Sequence, residues 1–227
     1  MEKQRYALVK RNYLVPFVLV TSLFFLWGFA HAILDVLNKH FQEVLDITRT
    51  YSAMVQVLFY LGYFVMAVPA GLFITKYGYR RGVVLGLLLY GVGSLMFVPG
   101  EYWMSFEFFL LSLFVIACGL VFLETAANPY VTILGSPETA ERRLNLAQSF
   151  NGLGAFIAAM FLSKLVLSGA NYTRETLPAA YQGGWAGYIQ SETDAMKLPY
   201  LMLAILLIIV AVVFIFYKLP KIGDESK

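Results

Sequence analysis

Apolar residues gather into six long runs, at 13–37, 52–74, 82–99, 106–134, 146–168 and 198–217, separated by short polar or glycine-bearing stretches. Most of these runs approach or exceed the roughly 20 residues a helix needs to cross a bilayer core. Within them the hydrophobic residues do not alternate with polar ones, which excludes the strands of about 10 residues that build a membrane barrel. Helix is the conformation left, because an unpaired backbone amide in hydrocarbon is costly. The pattern therefore predicts an all-α membrane protein: a bundle of six transmembrane helices over 13–217, preceded by a short segment 1–12 and followed by 218–227.

Composition agrees, since 59% of the residues are hydrophobic and 14% charged, against about 25% charged in an ordinary soluble domain. The 16% of aromatic residues includes Tyr and Trp near the ends of the runs, where amphipathic rings favour the headgroup region. A net charge of +3, spread over short loops, offers no basic stripe for a nucleic acid. The single Cys118 excludes an intrachain disulfide and a thiol cluster for zinc, and fits a small packing residue. The first run is too long for a signal peptide and has no small-residue cleavage site, so it is expected to remain as the first span.

Cytoplasmic loops of membrane proteins accumulate Lys and Arg. Most of the basic residues here fall on the side that holds both termini, with Lys39, Arg49, Lys164, Arg174 and Lys197 as the exceptions. Both termini are therefore expected in the cytoplasm. The longest loop, near 169–197, then lies outside; it contains Gly183, Gly184 and Gly187, and Asn171-Tyr172-Thr173 matches a glycosylation sequon.

A carboxylate deep in a membrane helix is a functional hypothesis by default, because its charge is expensive there. Two residues qualify. Asp35 closes the first run in FFLWGFAHAILD, with His31 four residues before it and Lys39 four after, so the three share one helix face. Two readings stand: Asp35 takes and releases a proton, or it pairs with Lys39 at the outer interface while His31 fills space. Glu124 interrupts the fourth run after Leu120, Val121, Phe122 and Leu123, with Asn128 one turn on. It is either a proton-binding carboxyl or interhelical glue.

Asn145, Gln148 and Asn151 recur every three residues on the fifth helix, and amides at that spacing suit sugar hydroxyls. Helix four descends to the cytoplasmic side and helix five rises from it, so Glu124 and Gln148 are expected at similar depth, lining one cavity. Gln56, Tyr60 and Tyr63 form a similar row on helix two, which packing alone also explains. The stretch GLFITKYGYRR (71–81) is read as a short loop that unites Gly71, Lys76, Gly78, Arg80 and Arg81 on the cytoplasmic side.

Taken together, these motifs resemble the major facilitator superfamily, and within it the L-fucose:proton symporter group that also holds glucose/galactose permeases. The resemblance runs through FFLWGFAHAILD, VPAGLFITKYGYRRG, LETAANPYVTILG and RLNLAQSFNGLGA. It implies that Asp35 and Glu124 serve proton coupling and sugar binding, that Gln148 lies in the sugar cavity, and that 71–81 is a cytoplasmic gating loop. Against the superfamily loop pattern G-x-x-x-D-[RK]-x-G-[RK]-[RK], Thr75 replaces the Asp and Tyr79 the first basic residue. Glu124 favours a fucose-type member. The substrate-binding residues expected are Glu124, Gln148, Asn128, Asn145, Asn151, His31, Gln56 and Tyr60, with the proton as coupling ion, no cofactor and no metal.

The resemblance further implies a bacterial cytoplasmic membrane and an alternating-access symporter rather than an enzyme. The superfamily has twelve spans in two six-helix halves, so the chain corresponds to the N-terminal half, and 218–227 to the start of the linker. The partners implied are a sugar, a proton, the lipid bilayer and a C-terminal six-helix half. Other readings are a six-helix sensor or scaffold without flux, a homodimer imitating the two halves, and an intramembrane hydrolase. The last needs two carboxyls about 3 Å apart, whereas Asp35 and Glu124 are expected toward opposite ends of the bundle.

Overall fold

The computed structural model describes residues 7–44, 48–103, 105–166, 172, 175–179, 181–217 and 219–220, and of 33–44, 100–103, 162–166, 192, 193, 195, 196 and 199 only the backbone. The first six residues, most of 218–227, and Asn171 and Thr173 of the sequon lie outside the described residues. Among the described residues seven α-helices follow in order: α1 Leu14–Val44, α2 Arg49–Ser52, α3 Met54–Tyr77, α4 Tyr79–Trp103, α5 Phe106–Thr132, α6 Ala140–Val166 and α7 Gly184–Phe216. The helix α2 is a single turn, whose start is fixed by the Thr48 hydroxyl accepting from the Tyr51 amide at 3.2 Å. The other six correspond to the six apolar runs.

Helix ends depart from the hydropathy pattern in an informative way. Hydropathy marks where lipid is, whereas the backbone stays helical into the polar flanks. Thus α6 begins at Ala140, within the polar stretch Ala140-Glu141-Arg142-Arg143, and α7 begins at Gly184. The expected loop 169–197 is therefore partly helix, with Gly183 at φ 79° turning the chain into α7. The expected loop 71–81 needs a similar correction. Gly71 and Lys76 sit inside α3, and only Gly78, at φ 85°, separates α3 from α4. A left-handed backbone favours Gly, so Gly78 breaks the helix and Gly71 does not.

By length and composition, Arg11–Ala32, Arg49–Tyr77, Tyr79–Pro99 and Phe106–Thr132 can each cross a membrane, and Tyr200–Phe216 is a shorter apolar helix. Burial ranks them: 72% of the α5 window is inside the bundle, against 22% of the stretch containing α3. Helix α5 is the central post, packed against α3 and α4 and touching α1 and α6. The remaining close pairs are α1 with α6 and α4 with α7.

This pairing nearly repeats itself. Exchanging α1, α3 and α4 for α5, α6 and α7 turns the α1–α6 contact into α5–α3 and leaves α4–α7 unchanged. One pair breaks the rule: α4 packs tightly on α5, whereas the counterpart helices α7 and α1 barely touch.

Small residues let the backbones approach, as close packing in a membrane requires. A Cβ on Gly28 of α1 would stand 1.9 Å from the Asn151 carbonyl oxygen of α6, and one on Gly154 of α6 would stand 2.1 Å from the Phe25 carbonyl oxygen of α1. The two glycines thus interlock α1 and α6. Between α4 and α7, the rings of Phe97 and Tyr200 stack at 3.7 Å and 4°.

Among the described residues, the Tyr200 hydroxyl is buried without a hydrogen-bond partner. Burying an unpaired hydroxyl is destabilising, while the ring stack needs only the ring. We expect Tyr200→Phe to stabilise the protein by about 1 kcal/mol, seen as a higher thermal midpoint in detergent. A lower midpoint would show that the hydroxyl has a stabilising partner.

Candidate functional site

The end of the bundle where α5 turns into α6 is tied by arginines that the sequence presents only as loop charge. Arg143 is fully buried. Its guanidinium donates to the Val131 carbonyl at 3.1 Å, to the Ser136 carbonyl at 3.1 Å, to the Leu8 carbonyl at 3.0 Å, to the Thr139 hydroxyl at 2.7 Å, and to the Thr132 carbonyl. Carbonyls at the end of α5 lack intrahelical donors, and Arg143 supplies them while holding the entry to α1. Arg80, expected in a gating loop, likewise donates to the Phe214 carbonyl at 2.9 Å and to the Ile215 carbonyl. It caps α7. Lys76 and Arg81 lie over the Tyr77 ring at 5.2 and 5.9 Å.

Deeper in the bundle, α1, α3, α5 and α6 bring a polar group together. Glu124 stands eight positions before the end of α5, and Gln148 eight positions after the start of α6, so each lies about 12 Å along its helix from the shared turn. The expected match of depth follows from this register. Asn128, one turn from Glu124, accepts a hydrogen bond from Gln148 Nε2 at 3.4 Å. Pro129 has no N–H, which leaves the Thr125 carbonyl without its helical donor.

Helix α1 supplies the facing wall. Glu124 shares a small cavity, about 10 Å³, with Trp27, Leu23, Phe24, Leu123 and Ala127. The Trp27 indole N–H donates to the Tyr63 hydroxyl of α3 at 3.1 Å, and Tyr63 is near enough to Glu124 for the two to interact electrostatically. His31 packs edge-on against Trp27 at 5.7 Å, Phe59 at 5.4 Å and Tyr63 at 6.0 Å. Its Nδ1 lies 3.2 Å from the Trp27 carbonyl. A carbonyl only accepts, so that contact requires the proton on Nδ1. Asn151 spends its amide on the α1–α6 seam, donating to the Phe24 carbonyl at 3.2 Å.

Other residues of the expected set stand apart. Asn145, Gln56 and Tyr60 are exposed, and of the α3 row only Tyr63 turns into the cluster. Asp35 lies on α1 in helical register with His31 and Lys39, and the side chains of Asp35 and Lys39 lie outside the described residues. Trp27 was not singled out in the sequence, although its place four residues before His31 was the available signal.

Glu124 is half-buried and has no hydrogen-bond partner among the described residues. Beside the Asn128–Gln148 amide pair and under the Trp27 and Tyr63 rings, it offers a carboxyl, amide donors and acceptors, and aromatic faces on one wall. Glu124, Asn128 and Gln148 are each partly exposed. Among the described residues no group of His, Cys, Asp and Glu has the grouping a metal needs.

The Major Facilitator Superfamily profile matches residues 17–227. The chain is 40% identical over 228 residues to an L-fucose-proton symporter of Haemophilus influenzae, covering 96% of this chain and 52% of that protein. It is 38% identical over 217 residues to a glucose/galactose transporter of Brucella abortus, covering 96% and 49%. In structure it resembles the crystal structure of the transporter FucP in its outward conformation, with a TM-score of 0.81, 37% identity, and coverage of 96% and 53%. The chain spans about half the length of the curated relatives it matches. It belongs to the major facilitator superfamily, in the group that contains the L-fucose–proton symporters and the glucose/galactose transporters.

Proposed function

We propose that the chain forms the N-terminal half of a proton-coupled sugar symporter whose substrate is L-fucose and whose access alternates by rocking against a C-terminal six-helix half. One observation carries the reading: a half-buried Glu124 without a hydrogen-bond partner among the described residues, beside the Asn128–Gln148 amide pair. A carboxylate so placed is costly in a dry site, and protonation removes the charge. Sugar hydroxyls then hydrogen-bond to the neutral carboxyl and the amides. Because each ligand favours the same occluded state, proton and sugar are energetically coupled. Asp35 is the second proton-coupling carboxyl.

Glu124, Gln148, Asn128 and His31 are the substrate residues this geometry favours, with Trp27 and Tyr63 as the apolar faces. The partial exposure of these residues leaves room for the second half to complete the cavity, as substrate sites at repeat interfaces require. The bias of basic residues toward one side supports a reading with both termini in the cytoplasm and the bundle in a bacterial inner membrane.

A second reading, glucose/galactose transport, is favoured by the 38% identity to the Brucella abortus protein. Both readings are tested in proteoliposomes that hold the chain with the C-terminal half of the Haemophilus influenzae relative. Labelled L-fucose should accumulate under an inward proton gradient and resist competition by D-glucose and D-galactose. Competition by those two sugars would shift the substrate to them. Sugar binding without flux would favour the sensor or scaffold reading.

A further inference from the structure

The broken repeat between α1 and α7 leaves an apolar groove of about 580 Å³, floored by α6. Leu14, Val18 and Phe25 line it from α1, Leu146 and Phe150 from α6, and Val210 from α7. From Leu14 to Leu26, both lining residues, α1 rises about 18 Å. One leaflet's share of the hydrocarbon core is about 15 Å. The groove is therefore one acyl chain long and runs inward from the basic end of the bundle.

The mouth at that end is charged. Arg11 stands in the 3-10 turn Arg11–Tyr13 that leads into α1, three residues before Leu14, and residues three apart eclipse in such a turn. Arg142 stands one helical turn before Leu146 on α6, the spacing that puts two side chains on one face. Lys10 neighbours Arg11, and all three basic residues are exposed. The nearest acid on α6, Glu141, starts a different row, the one that continues through Asn145 and Gln148. Two stripes, each basic at the membrane surface and apolar below it, thus converge on one groove.

We infer that this groove is a binding site for an anionic phospholipid of the leaflet at the Arg11 end, its acyl chain between α1 and α7 and its phosphate between Arg11 and Arg142. Charge complementarity selects the anionic headgroup, and the length of the groove selects a single leaflet's acyl chain. Basic pockets between membrane helices bind anionic headgroups through the same chemistry. The lipid fills the seam that the counterpart pair α4 and α5 closes by direct packing.

The test is native mass spectrometry of the detergent-purified protein offered equal amounts of phosphatidylglycerol and phosphatidylcholine. Wild type is expected to retain phosphatidylglycerol preferentially. Each basic residue near a membrane surface is worth roughly fivefold in anionic-lipid affinity, so Arg11→Gln with Arg142→Gln should lose roughly 30-fold. Val18→Trp, which fills the groove, should lose retention of both lipids while the thermal midpoint stays near wild type. Equal retention of the two lipids, or a double variant that keeps its preference, overturns the assignment. So does disulfide capture of a second copy or of a C-terminal half through Val18→Cys, since the groove would then hold protein.

Discussion

Glu124→Gln is expected to abolish proton-driven accumulation. In proteoliposomes holding the chain with a C-terminal six-helix half, sugar uptake under a proton gradient should fall to the level reached without a gradient, because a side chain that cannot release a proton cannot couple the two fluxes. Exchange of labelled for unlabelled sugar should persist. Gln cannot ionise, so it imitates the protonated carboxyl permanently and keeps hydrogen bonds available for the sugar. The Asn128–Gln148 pair and the Trp27–Tyr63 contact remain to hold the ligand. What disappears is the state in which an unprotonated carrier refuses to occlude. Asp35→Asn should behave in the same direction. If Glu124→Gln accumulates sugar as wild type does, Glu124 has no coupling role; loss of exchange together with accumulation would make it a binding residue alone.

A second substitution with a large expected effect adds a single methyl group. In Gly28→Ala the new Cβ would stand 1.9 Å from the Asn151 carbonyl oxygen, and both atoms belong to rigid helical backbone. No side-chain rotation relieves such a clash, so α1 and α6 must separate. Overpacking of a tight interface costs up to about 3 kcal/mol and occasionally more, and backbone against backbone belongs at the upper end. A marked fall in thermal midpoint is the expected result, with loss of sugar binding because Asn151 no longer reaches the Phe24 carbonyl. The control lies on the facing helix, α6, beside Asn151. A Cβ on Gly152 meets nothing within 4 Å, and Ala favours helix over Gly by about 1 kcal/mol, so Gly152→Ala should leave stability equal or higher. If Gly28→Ala melts with Gly152→Ala, the α1–α6 seam is looser than these distances imply.

Much of the fold was legible because the bilayer restricts what a chain can do. Continuous apolar runs must be helices, and the six long helices follow the six runs. Their ends were less legible, since hydropathy reports contact with lipid and not backbone conformation. Helix α7 therefore starts at Gly184, and α3 runs through Gly71 to Tyr77. The site divides along similar lines. Glu124, Asn128 and Gln148 stood out because polar groups are expensive in apolar helices, and helix direction fixed their shared depth. Trp27 did not stand out, and Tyr63 was only one of a row that packing could explain, since aromatic residues are common in these runs and only packing shows which of them meet.

Two assignments rested on residue type and were altered by neighbours. Arg143 and Arg80 read as loop charges in sequence, yet each guanidinium is spent on helix-end carbonyls. The exposed Gln56 and Tyr60 share a helical row with Tyr63, yet it is Tyr63 that the Trp27 indole and the His31 ring meet. Sequence alone determined that this chain is a helical membrane bundle with carboxyls and amides at unusual depth, because transfer of each residue between water and lipid depends mainly on its own chemistry. Tertiary structure decided which groups converge, that glycines lock α1 to α6, and that α1 and α7 part to leave a groove. Those outcomes depend on how separate helices approach, which no local pattern encodes.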